Sequence, residues 1–209
     1  VDGLTTKDVV IKNCGFYPIK DDNEIIYYAP HPFGGRQQYG TDYHRNIEFI
    51  NNVVNDVLPD APQYVSSIQN GIIHMYMVDN LIIKNNKFFN STGNRTKIIN
   101  LPSKAEVRSI DEVDQDSPSE YILSDNELKS SKNIYFENNY ISGFYHEDEV
   151  DTSTLDFRGC KKDYGNITNI NILNNTFENM MDIEKLNKDI SAGHVLVHVK
   201  NAKNISIKN

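Results

Sequence analysis

The sequence predicts an all-β fold in which short strands stack in parallel as a solenoid. Three observations predict it: a motif that recurs along the chain, apolar alternation inside each copy, and Asn at fixed places within it. The motif reads DVVIKNCGF from Asp8, NIEFINNVV from Asn46, NLIIKNNKF from Asn80, NIYFENNYI from Asn133, NINILNNTF from Asn169 and NISIKN from Asn204. Successive copies start 38, 34, 53, 36 and 35 residues apart. The chain holds 27 Asn and 24 Ile among 209 residues, with 11 Gly and no Trp. Such an Asn excess means either disorder or a repeat that uses Asn structurally, and the regular aliphatic spacing favours the repeat.

Each element of a copy follows from its residues. The first apolar position is Val9, Ile47, Leu81, Ile134, Ile170 or Ile205, and the second is Ile11, Phe49, Ile83, Phe136, Ile172 or Ile207. Apolar residues two apart describe a strand with one buried face, not a helix. The double Asn that follows (Asn51-Asn52, Asn85-Asn86, Asn138-Asn139, Asn174-Asn175) marks a turn, because Asn tolerates left-handed backbone angles. A second short strand then carries Phe16, Val54, Phe88, Ile141 or Phe177 inward. Upstream of several copies lies a further β-like run: Ile72 to Met77, Leu155 to Phe157, and Val195 to Val199. A unit of three short strands cannot bury its own apolar face, so it must stack on its neighbours, roughly 4.8 Å apart. Six such coils make a rod roughly 24 Å long in which equivalent Asn side chains can bond along the stack. A leucine-rich repeat is the rival. Its period is shorter, and the aliphatic residue it wants before the first Leu is mostly absent here.

Strand, Asn turn, strand, third strand and a return loop of variable length resemble the right-handed parallel β-helix of the pectin-lyase-like superfamily. Gly71 to Asn90 (GIIHMYMVDNLIIKNNKFFN) and Gly193 to Asn209 (GHVLVHVKNAKNISIKN) are similar to its coils. The resemblance covers nearly the whole chain and implies one domain over residues 1–209, a single-stranded right-handed β-helix of about six coils with long return loops. It implies less about activity, since the superfamily holds polysaccharide lyases, glycoside hydrolases, epimerases, phage tail spikes and non-catalytic adhesins. The polygalacturonase series N-T-D, D-D, G-H-G and R-I-K is missing, as is the pectate-lyase stretch R-x-P-x-x-R.

Charge and composition bound the function. A net charge of −8 disfavours nucleic acid, whose phosphates call for clustered Lys and Arg. No apolar run approaches the roughly 18 residues of a membrane helix. The chain opens without an initiator Met and stops within a copy of the motif, so it is expected to be a piece of a longer protein. Cys14 and Cys160 fall several coils apart and are expected as unpaired, partly buried thiols.

Four places could carry chemistry. In YYAPHPFGGRQQYGTDYHR, Tyr27 to Arg45, aromatic faces and planar donors suit sugar rings, so Tyr28, Arg36, Tyr39, Tyr43 and His44 are candidate contacts. The alternative is a loop packing its aromatics on the solenoid. Ile110 to Pro118 is an acidic run, either a solvated loop or a Ca²⁺ site, and the next run, Tyr121-Ile122-Leu123, could belong to an extra degenerate coil. Ca²⁺ is the one cofactor the sequence suggests. Phe144 to Asp151 offers Glu147 and Asp148 as catalytic carboxylates, against the commoner reading of a surface acid cluster.

The fourth place comes from strand alternation. With Ile73, Met75 and Met77 inward, Ile72, His74 and Tyr76 point out. Asp156 and Arg158 point out likewise, as do His194 and His198. These fall on equivalent strands and would line one outer face over roughly 15 Å. In the resembling enzymes that face often holds the substrate groove, which makes His74, Asp156 and Arg158 catalytic candidates and Tyr76, His194 and His198 binding candidates. The alternative is ordinary exterior polarity.

The functional expectation is recognition, and on one reading depolymerisation by a lyase or hydrolase, of a cell-surface or extracellular polysaccharide. A structural solenoid (stalk, spacer or scaffold) is the alternative. The expected setting is extracellular, cell-surface or virion, with flanking domains of the same chain or a homotrimer as protein partners.

Overall fold

The structure is a computed structural model, and it describes residues 6–17, 19–20, 22, 26–27, 33–35, 43–56, 71–75, 77–90, 97–101, 130–144, 153–159, 166–180 and 195–209. Among the described residues there are strands and turns but no helix. Three parallel sheets hold 16 of the 18 strands. The first contains β1 (Lys7–Lys12), β6 (His44–Ile50), β9 (Val78–Lys84), β12 (Lys132–Glu137), β15 (Ile167–Leu173) and β18 (Ala202–Lys208), in that spatial order. The second contains β2 (Gly15–Phe16), β7 (Val53–Asp56), β10 (Lys87–Asn90), β13 (Tyr140–Ser142) and β16 (Thr176–Glu178). The third contains β5 (Phe33–Gly35), β8 (Ile73–Met75), β11 (Ile99–Leu101), β14 (Ser153–Arg158) and β17 (Val195–Lys200). A small antiparallel pair, β3 (Ile19–Lys20) with β4 (Ile26–Tyr27), stands apart. The chain visits the three sheets in turn and returns each time beside its previous visit, as a β-solenoid does and a leucine-rich repeat does not.

The register follows the motif. Val9, Ile47, Leu81, Ile134, Ile170 and Ile205 stand in one column of the first sheet, and Ile11, Phe49, Ile83, Phe136, Ile172 and Ile207 in another. Phe16, Val54, Phe88, Ile141 and Phe177 form the inward column of the second sheet. The interior members are buried, and three of the rings (Phe49, Phe88 and Phe136) stack at centroid distances of 6.2 and 6.3 Å across two sheets. The inner strands of the first sheet bury alternate side chains, so a shift of one residue would turn their aliphatic set outward; register there is fixed by burial.

The two Asn of each pair divide the work. The first member adopts positive φ at Asn51 (55°), Asn85 (56°), Asn138 (53°) and Asn174 (54°), making the corner. The second is buried and forms a ladder. Asn52 donates from its backbone N–H and from Nδ2 to Asn86 Oδ1, at 2.8 and 3.2 Å. Asn86 does the same to Asn139 Oδ1, and Asn139 to Asn175 Oδ1. Each Nδ2 also donates to a carbonyl of the preceding visit, Ile11, Phe49, Ile83 or Phe136. A second, more exposed ladder uses the residue that opens the motif, also at positive φ: Asn46 donates to Asp8, Asn80 to Asn46, Asn169 to Asn133 and Asn204 to Asn169. Asn133 departs by one residue and donates to Asp79.

Three local expectations change. Ile72 is buried in the core instead of outward, and so is Ile98 in the equivalent place; the chain bends at both, so alternation begins only at Ile73 and Ile99. Cys14 is a free thiol but exposed, because it stands on the outermost visit of the Asn ladder. The long interval between the third and fourth motif copies supplies β11 from Ile99–Leu101, upstream of the run at Tyr121 to Leu123, which lies outside the described residues, as does Cys160.

Truncating a ladder residue should be costly. Asn139→Ala strands the buried N–H of Asn86 and the Ile83 carbonyl, and is expected to lower unfolding free energy by on the order of 3 kcal/mol. Asn85→Gly keeps the positive-φ corner and should stay within about 1 kcal/mol of the parent. Urea denaturation of both variants checks the contrast.

Candidate functional site

The outer face of the third sheet gathers the polar residues that strand alternation pointed to. His74, Asn100, Asp156 and His198 occupy one register column on β8, β11, β14 and β17. At about 4.8 Å per strand the column runs about 14 Å. Arg158, two residues along β14, lies on the same face and pairs in register with Lys200.

Asp156 is the centre of this arrangement. Its Oδ2 accepts from Lys97 Nζ at 2.7 Å and from Arg158 Nη2 at 2.9 Å. Its Oδ1 accepts from Arg158 Nε at 2.9 Å and stands 3.0 Å from His198 Nδ1. The guanidinium therefore grips both oxygens as a fork, the geometry in which Arg binds a carboxylate best. Burial pushes the Asp156 carboxyl up, but the hydrogen bonds and charges of Arg158 and Lys97 outweigh it and hold the group below the usual carboxylate value. An ionised carboxylate only accepts, so the hydrogen in the histidine contact lies on His198 Nδ1. That fixes the tautomer and leaves Nε2, which makes no hydrogen bond among the described residues, to meet solvent or a ligand.

Exposure divides the column. Asp156 is fully buried and His74 only 9% exposed, whereas the side chains of Arg158 and His198 are 30% and 41% exposed. The expectation of an open stripe through His74 and Asp156 is thus corrected. Every residue of β14 except Arg158 is buried, on both faces of the strand. What the arrangement presents outward is an oriented imidazole and part of a guanidinium, with the carboxylate beneath them. Asp156 contacts both of those groups from below.

The other sequence candidates fall elsewhere. His44 is fully buried at the start of β6 and accepts at Nδ1 from the Thr6 N–H, 3.1 Å away; it joins two visits of the chain instead of facing a sugar. Tyr43 is half-buried, donates its hydroxyl to the Ser130 carbonyl at 3.1 Å, and has Lys132 Nζ 5.0 Å from its ring centroid. It braces the corner before the first sheet. Tyr28, Arg36, Tyr39, Tyr76, Glu147, Asp148 and His194 lie outside the described residues, as does the acidic run Ile110 to Pro118. Among the described residues no group of three or more His, Cys, Asp or Glu is arranged to hold a metal ion.

Sequence reasoning missed Lys97 and Asn100. Asn100 sits within, and Lys97 two residues before, a short apolar alternation, Ile99-x-Leu101, that repeats Ile73-x-Met75 and Leu155-x-Phe157. That alternation was the available signal. It was hidden because no Asn motif follows it at the usual distance.

Compared with known protein families, curated proteins and solved structures, the chain matches none.

Loss of the carboxylate has a defined pH signature. The folded pKa of Asp156 lies below the unfolded value of about 3.9, so its contribution is complete above that value and is lost as pH falls through the folded one. Asp156→Asn is expected to cost about 2–4 kcal/mol at pH 7 by removing the buried carboxylate that Lys97 and Arg158 both contact. The gap between parent and variant should hold from pH 7 to about 4 and narrow below it. Denaturant unfolding across that range measures it.

Proposed function

We propose that the chain is a right-handed parallel β-helix that recognises a polysaccharide on the outer face of its third sheet. The handedness rests on a general rule: crossovers between parallel neighbouring strands are right-handed in about 98% of cases. Counting six visits to the first sheet and five to each of the others gives about six coils, with long return loops. The observation that carries the functional reading is the Asp156 cluster: a buried, ionised carboxylate that fixes His198 and Arg158 at the surface. A partly exposed imidazole held in one orientation suits the hydroxyls of a sugar chain. The likeness of the repeat to the pectin-lyase-like superfamily supports the same reading and an extracellular, cell-surface or virion setting.

A non-catalytic solenoid is the second reading, and one observation favours it. Lys97 and Arg158 both spend their charge on Asp156, and His74 and Asn100 are nearly enclosed, so the column is also an internal brace.

A glycan array and a reducing-end assay separate the two. His198→Ala, at an exposed side chain, should weaken glycan binding at least tenfold while leaving the melting temperature within a few degrees of the parent. Absence of any bound glycan, or binding unchanged in His198→Ala, would sink the recognition reading in favour of the brace.

A further inference from the structure

The outer face of the first sheet carries an apolar strip that a strand facing only water does not require. Alternation places Ile82 and Tyr135 outward between the buried pairs Leu81/Ile83 and Ile134/Phe136. Ile50 and Leu173 stand outward in a neighbouring column, and Val10 is 58% exposed. All four central residues of this strip remain partly exposed. Lys84 and Glu137, paired at 3.3 Å, stand between Ile50 and Leu173 in their column, and Lys132 pairs with Asp79 at 3.2 Å nearer the start of the strands.

The pattern is complementary to itself. Consider a two-fold axis parallel to the strands, lying between β9 and β12 and in the plane of contact. It sets β9 on the partner's β12 and β6 on the partner's β15 while preserving position along each strand. The registers then bring Ile82 onto the partner's Tyr135 and Ile50 onto the partner's Leu173. Lys84 meets the partner's Glu137, and Asp79 meets the partner's Lys132, so each ion pair becomes a cluster of four alternating charges. An axis along the stack does worse, since it sets Glu48 against the partner's Glu48.

We propose that this face is an isologous contact between two copies of the chain. Six strands about 4.8 Å apart and about 20 Å long offer roughly 500 Å² per copy, or about 1,000 Å² in all. That is the lower limit for a specific interface, so association is weak and concentration-dependent. The outer strands hold it back: Lys12 falls opposite the partner's Lys208, and Lys7 opposite the partner's Lys203. Such lysines are a common device for limiting contact between sheets.

Sedimentation velocity on the full chain over a range of concentrations tests the proposal independently of any glycan. A monomer–dimer equilibrium is expected. Ile82→Lys, on the outer face, should weaken it at least tenfold without changing the melting temperature by more than a few degrees. Lys12→Glu exchanges a repulsion for an attraction twice per dimer and should tighten it severalfold. A monomer at every concentration, a trimer, or a dimer indifferent to both substitutions would overturn it.

Discussion

The fold depends on one constraint: the backbone must turn sharply at the same place on every visit to the first sheet, inside a stack with no room for water. The buried Asn ladder meets it. At each corner the peptide N–H of the second Asn would point along the stack into dry protein, where an unpaired donor costs about 1–3 kcal/mol. The Oδ1 of the next Asn takes that hydrogen, and its Nδ2 takes a carbonyl of the visit before. No other side chain offers an acceptor and two donors on so short a stem. Asp lacks the donors, and Gln would place them a bond too far. Strand pairing, phenylalanine stacking and the alignment of the outer columns all follow from corners held in register.

That requirement explains why so much of the first two sheets is readable in the sequence. A corner built on two Asn leaves a mark at fixed spacing from the aliphatic positions, and the inward columns headed by Val9, Ile11 and Phe16 are the ones observed. The third sheet leaves a fainter mark. Its strands follow return loops of variable length, and no Asn pair announces them. Ile99–Leu101 therefore passed unnoticed within a 53-residue interval, and Lys97 and Asn100 with it.

The site was legible in direction but not in depth. Alternation places Asp156, Arg158 and His198 on one outer face, and the register confirms that placement. Alternation cannot say whether a face is open. β14 is covered on both sides, so the outward residue Asp156 is as enclosed as the inward Leu155. The exposed chemistry therefore shifts one strand over, toward His198 on β17, and along β14 to Arg158. His44 shows the same limit from the other direction: its sequence neighbours are polar and aromatic, yet it is fully buried and accepts from the Thr6 N–H.

Stability alone does not account for the Asp156 cluster. Burying a carboxylate with two cations costs desolvation that their attraction barely recovers, and well-packed apolar residues of similar volume often do as well or better. Arg158 shares β14 with Asp156, so the contacts that tie the carboxylate to other segments are those of Lys97, just before β11, and of His198 on β17. The histidine ties β14 to β17 through one nitrogen, although its ring is the most exposed of the partners. What the cluster adds beyond cohesion is orientation, with Nδ1 committed to the carboxylate and Nε2 left at the surface. A positioned imidazole on a rigid strand can serve a ligand at Nε2 while its Nδ1 serves the stack, so the two readings of this face part at His198 and not at the carboxylate beneath it.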